Sequence, residues 1–205
     1  MKLYKLIAAL MDYPTEITDE IFKEATAVAD ESSVATPSDR RNIAKFVKRM
    51  SDIPLIRRQT EYSDIFDTSG QLSLYLFEHV YGSSRKRGQA MSDLIETYRD
   101  HGVEVASGEL PDYLPVFLEF LSMLDSQTEA DDYLADVEKI IDKIHHRLKE
   151  ADSPYSCLVK ILMDHASKGK AHPLPPEAGM SFDGRDDYCS GCTLKEEEPA
   201  DISHV

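Results

Sequence analysis

Two cysteines three apart, in Cys189-Ser190-Gly191-Cys192, form a CxxC that could hold a soft metal ion or cycle between dithiol and disulfide. Completing four zinc ligands would require His172 or His204, because no second ligand pair stands at finger-like spacing. No βαβ pattern surrounds the motif, so Cys189 and Cys192 read as incidental thiols in a solvated segment and only as weak metal candidates. Other pairs that could do chemistry are Glu78-His79, Asp164-His165 and His145-His146, with Asp142 and His145 as a lone DxxH. A di-iron bundle needs ExxH on two helices and two further glutamates, and the sequence does not supply them. HExxH, GxSxG and a glycine-rich phosphate loop are absent as well. These gaps argue against an enzyme and against a resident cofactor. The alternative that stays open is a metal-dependent helical enzyme built from Glu78, His79, Glu119 and the two cysteines.

Arg85-Lys86-Arg87 is a dense basic cluster in the middle of an acidic chain, just before the apolar stripe Met91/Leu94/Ile95/Tyr98. Cations at a helix N-terminus oppose the helix dipole, so a nearby carboxylate is expected to compensate them, with Glu78, Glu109, Asp112 and Glu119 as candidates.

The elements that would position these residues read as helices. Thr36 is a cap, Pro37 fits the first helical position and Asp39 stands three residues after the cap, ahead of the stripe Ile43/Phe46/Val47/Met50. Thr18 reads as a second cap, with Asp19 and Glu20 in the first turn. Pro54, Pro111 and Pro154 open helices with stripes Leu55/Gln59/Tyr62/Phe66, Leu114/Phe117/Leu118/Leu121 and Tyr155/Leu158/Val159/Leu162. Tyr133 to Leu148 keeps one period for about four turns, and Gly102 and Gly169 stand where C-terminal caps would fall. Leu72-Ser73-Leu74-Tyr75-Leu76 alternates like a strand, but no second alternating run offers a partner. The segment from Leu72 to Tyr81 is therefore expected to be a buried central helix.

The 205 residues carry a formal charge of −15, which repels phosphate backbones and excludes nucleic acid as a partner. The longest apolar run near the start, Leu6 to Met11, is too short to span a bilayer or to make a signal h-region, so a cytoplasmic protein without direct membrane insertion is expected. Proline and acid accumulate after residue 168, which predicts a helical domain over 1–168 and a flexible acidic tail over 169–205. Exposed apolar surface makes a homodimer an expectation.

The block Leu76-Phe77-Glu78-His79-Val80-Tyr81-Gly82-Ser83-Ser84-Arg85-Lys86-Arg87-Gly88-Gln89-Ala90-Met91, with Glu109-Leu110-Pro111-Asp112-Tyr113-Leu114-Pro115 and Leu118-Glu119-Phe120-Leu121, resembles the NarJ family. These are the delta-subunit assembly chaperones of respiratory, membrane-bound nitrate reductase. The similarity runs over most of residues 3–165, and departs from the family at Lys86, where an acidic residue is usual. It implies an all-α, single-domain helical bundle of the TorD/NarJ type and a non-catalytic role. In that role the chain binds the basic, amphipathic N-terminal peptide of the apo catalytic subunit and keeps it competent for molybdenum cofactor insertion; a chaperone of another molybdoenzyme of the superfamily is the variant reading. Carried over residue by residue, the resemblance has Tyr62, Phe66, Leu76, Phe77 and Met91 lining or supporting a peptide groove. Glu78, His79, Arg85, Arg87, Asp112 and Glu119 would form its polar edge.

Overall fold

The Thr36 capping box forms as its spacing demands: the Asp39 amide donates to Thr36 Oγ1 at 3.2 Å and the Thr36 amide to Asp39 Oδ2 at 2.8 Å, opening α3 (Pro37–Ser51). The computed structural model describes residues 1–171 apart from Ser69, Ser83 and Ser107. Cys189, Cys192, His172, His204 and nearly all of the expected tail lie outside the described residues. Met1–Pro173 forms one compact unit. Its other helices are α1 (Lys2–Met11), α2 (Thr18–Glu31), α4 (Leu55–Phe66), α5 (Glu78–Tyr81), α6 (Lys86–Asp100), α7 (Leu114–Met123), α8 (Gln127–Asp136), α9 (Glu138–Glu150) and α10 (Ser156–Ala166).

Helices that are apolar around most of their circumference become the centre. α1 buries Leu3, Tyr4, Leu6, Ile7, Ala8, Leu10 and Met11 and packs along α7 and α2. α10 buries Leu158, Val159, Ile161 and Leu162 and packs along α9, α3 and α8. Truncating a fully buried leucine here, such as Leu3 or Leu158, would cost about 2–5 kcal/mol. A buried polar cluster ties these helices together. His165 on α10 sits 3.2 Å from Asp39 Oδ2 and 3.3 Å from Asp131 Oδ1, and Tyr4 Oη donates to Asp131 at 2.6 Å. Burial pushes the Asp39 carboxyl up, but hydrogen bonds from His165 and Thr36 outweigh it and hold the group below its ordinary range.

Several local expectations need correction. The buried helix expected over 72–81 does not form: only Glu78–Tyr81 is helical, and the preceding residues make bends and turns around one bridge residue, Tyr75. Their partner is the short segment 112–114, which has no alternating pattern of its own. Tyr75 and Tyr113 form an antiparallel bridge, flanked by Leu76 N–H to Asp112 O and Leu114 N–H to Leu74 O, both 2.8 Å. The period-two signal was therefore the right one for Leu74 to Leu76. The four-turn helix expected from Tyr133 divides at buried Val137, where α8 ends and α9 begins, because a one-residue elbow leaves the apolar period intact on both sides. Thr18 is not the cap of α2: Ile17 holds that place, and Thr18 Oγ1 instead accepts from the Thr15 amide at 2.8 Å. Pro115 rather than Pro111 occupies the first turn of α7, and the Pro111 carbonyl instead accepts from Tyr98 Oη at 2.8 Å.

Candidate functional site

The segment before α5 is fastened to the loop before α7 by one carboxylate. Asp112 is fully buried; its Oδ2 accepts from the Phe77 amide and from Arg87 Nη2, each at 3.2 Å, while its carbonyl takes the Leu76 amide. Arg87 enters from the first turn of α6, where its charge opposes the helix dipole, and Asp112 provides the compensation. Its guanidinium also lies 5.9 Å from the centre of the Tyr75 ring, which is paired with the Tyr113 ring at 5.3 Å. Asp112 Oδ1 and Arg87 Nε have no hydrogen-bond partner among the described residues.

Glu78 and His79 hold the same segment from its other end. Glu78 Oε2 accepts from Ser73 Oγ at 2.6 Å, and His79 Nε2 lies 2.8 Å from the Ser73 carbonyl, to which it donates. Burial lowers the His79 pKa below its ordinary value, which fits a neutral ring. Leu76 and Phe77 are buried beside them, and Met91 is half-buried against the core. Arg85 is exposed at the cap of α6. Tyr62 and Phe66 face elsewhere, into an aromatic cluster with Tyr155 in which the ring centres lie 4.8 to 5.9 Å apart. The fold thus gathers Leu76, Phe77, Glu78, His79, Arg87 and Asp112, and leaves Arg85, Met91 and Glu119 apart from them.

Glu119 belongs to a different feature, a depression of about 200 Å³ between α1 and α7. Ala8, Ala9, Pro115 and Val116 make its apolar lining, Tyr113 forms a wall, and Asp12, Glu109 and Glu119 bring carboxylates to it. The three acids are exposed. Of these residues the sequence marked Glu119 for a groove's polar edge, and Glu109 only as a carboxylate that could compensate the basic cluster. The available signal was the Ala8-Ala9 pair, two small side chains in an otherwise bulky apolar helix that ends at an acid. Among the described residues no group of three His, Cys, Asp or Glu side chains could hold a metal ion, and no helix is long and apolar enough to cross a membrane.

The polar groups around Asp112 are consumed in fastening loops, and the nearby depression joins small apolar side chains to three exposed carboxylates. The fold is shared with the crystal structure of a redox enzyme maturation protein from Archaeoglobus fulgidus, with a TM-score of 0.58 at 23% identity, covering 82% of this chain and 94% of that one. Residues 31–158 match the family model described as nitrate reductase delta subunit. The chain is 35% identical over 162 residues to the "Nitrate reductase molybdenum cofactor assembly chaperone NarJ" of Escherichia coli strain K12, covering 79% of this chain and 68% of that protein. It is 36% identical over 166 residues to the "Probable nitrate reductase molybdenum cofactor assembly chaperone NarW" of the same strain, covering 81% and 68%. The chain belongs to the nitrate reductase delta subunit family, in which the NarJ and NarW relatives are named as molybdenum cofactor assembly chaperones.

Proposed function

We propose that this chain is a cytoplasmic chaperone of a nitrate reductase, binding the N-terminal peptide of the apo catalytic subunit until the molybdenum cofactor has been inserted. The observation that carries the reading is the α1–α7 trough, with apolar Ala8, Ala9, Pro115 and Val116 among the carboxylates of Asp12, Glu109 and Glu119. A basic amphipathic helix supplies the complement: large apolar side chains for a lining of small residues, and cations for the acids. The remaining body is acidic too, so encounter is steered over a wider field than the trough itself. A peptide that folds as it binds loses ordering entropy, which moderates its affinity and permits release. Buried Leu76, Phe77 and Asp112, with half-buried Arg87, then serve as support, holding the loop that presents Tyr113 and Glu109.

Calorimetric titration with a synthetic peptide of the catalytic subunit's first residues tests this. Saturable binding is expected, weakened about threefold to tenfold at low salt by the pair Asp12→Asn and Glu119→Gln. Absence of heat together with absence of NMR shifts at high peptide concentration would refute it.

A further inference from the structure

Two hydroxyl protons serve three oxygen–oxygen contacts behind the trough. Tyr113 Oη lies 3.2 Å from Asp12 Oδ1 and 2.9 Å from Tyr62 Oη, and Tyr62 Oη lies 3.1 Å from the Met11 carbonyl oxygen. Burial above all raises both phenols beyond their ordinary range, so each keeps its single proton. Two arrangements place a proton between the two phenol oxygens and pair both hydroxyls. In the outward one Tyr62 donates to Tyr113 and Tyr113 donates to Asp12, leaving Met11 O without Tyr62's proton. In the inward one Tyr113 donates to Tyr62 and Tyr62 donates to Met11 O, a terminal carbonyl of α1 with no partner in its own helix. If both protons turned away from each other, two oxygen lone pairs would face at 2.9 Å.

The two arrangements differ in how α4 is held. α4 reaches by side chains to the end of α1, the α1–α2 loop and the first turn of α2. Gln59 Nε2 donates to Pro14 O at 2.9 Å, Arg58 Nη2 to Asp19 at 2.5 Å, and Tyr62 reaches Met11. Arg58 is 2% exposed, and its Nε and Nη1 have no partner among the described residues, an uncompensated cost of the docked position. α4 also packs Tyr62 and Phe66 into the buried aromatic cluster with Tyr155, so the polar contacts adjust its docking rather than create it.

We propose that the chain of contacts Met11–Tyr62–Tyr113–Asp12 reports occupancy of the trough to α4: a ligand cation at Asp12 turns both hydroxyls inward and tightens α4 against the end of α1. The ligand half of this statement rests on the peptide reading above; the hydroxyl half does not. A ligand shifts such an equilibrium only through its different affinity for the two arrangements, and here the difference is that a cation on the Asp12 carboxylate makes Oδ1 a weaker acceptor for the Tyr113 proton.

Amide hydrogen exchange across residues 55–66 of the full chain tests it in two arms. Without any ligand, Asp12→Ala deletes the outward acceptor and is expected to slow α4 exchange about fivefold, the worth of one redirected hydrogen bond. Adding Tyr113→Phe to Asp12→Ala is expected to abolish the slowing. A merely structural role for Asp12, whose Oδ1 also accepts from the Tyr13 amide, would speed exchange instead. With the catalytic-subunit peptide at saturation, judged by calorimetry for each variant, the unmodified chain is expected to show the same slowing and Tyr113→Phe none. Unchanged or faster exchange in ligand-free Asp12→Ala overturns the relay whatever the peptide does. A peptide that fails to bind removes the trough reading and leaves the Asp12→Ala arm to decide the relay.

Discussion

Asp112 takes the Phe77 amide and the Arg87 guanidinium on its side chain and the Leu76 amide on its carbonyl, and its worth follows from its burial. Removing Asp112 strands the partly exposed Arg87 charge and the Phe77 amide, so Asp112→Ala is expected to cost about 2–3 kcal/mol, read as a lower urea midpoint at an unchanged slope. Part of that cost is the Phe77 amide, which loses its acceptor. His79 gives a pH signature of definite sign. Burial makes its folded-state pKa lower than the unfolded value near 6.5, so below that pH the unfolded chain takes up a proton that the folded chain resists. The stability contributed by neutral His79 is complete above that pH and erodes as the pH falls through it. His145 shifts in the same direction, also through burial, whereas His101, raised first by its hydrogen bond to the Thr97 carbonyl, acts oppositely. Urea midpoints measured from about pH 7 down to about pH 5.5 should fall for the parent chain and fall less for His79→Gln.

Among the elements, the C-terminus of α6 shows how far a local rule reaches. Gly102 has φ 72°, its amide bonds to Arg99 O at 2.8 Å, and the Val103 amide bonds to Tyr98 O at 2.9 Å. That is the paired bonding of a Schellman cap, with glycine where a side chain would be strained. Gly102→Ala is expected to destabilise by about 1 kcal/mol, measurable as a lower melting temperature, with no loss of helix elsewhere in the circular dichroism spectrum. This cap, the Thr36 box and the Pro54 start of α4 were legible because each is settled within a few residues. The segment 72–76 was not, although its alternation was visible. Its bonding partner lies some 40 residues away, in a stretch recognisable only as Pro111-Asp112-Tyr113, so local pattern could not say that the backbone of Leu74 and Leu76 would be satisfied.

At the scale of the whole molecule the −15 charge governs how a basic peptide would arrive and contributes less to how long it stays. Raising salt from about 0.05 M to about 0.5 M is expected to slow association by roughly tenfold, with a smaller change in dissociation, as followed by stopped-flow fluorescence of a labelled peptide. An equal salt effect on both rates would place the carboxylates inside a buried interface rather than around it.

Composition and the 3.6-residue period by themselves determined an acidic, helical chain, because charge counts and helix propensity are properties of residues and their near neighbours. The motif block from Leu76 to Leu121 carried the family. Only tertiary packing decided that α1 and α10, not the 72–81 segment, run through the centre, since which apolar faces meet is set by all the helices together. Packing likewise brought Asp12, Glu109 and Glu119, spread over more than a hundred residues, around one trough, and placed the Tyr62 and Tyr113 hydroxyls 2.9 Å apart across 51 positions of sequence.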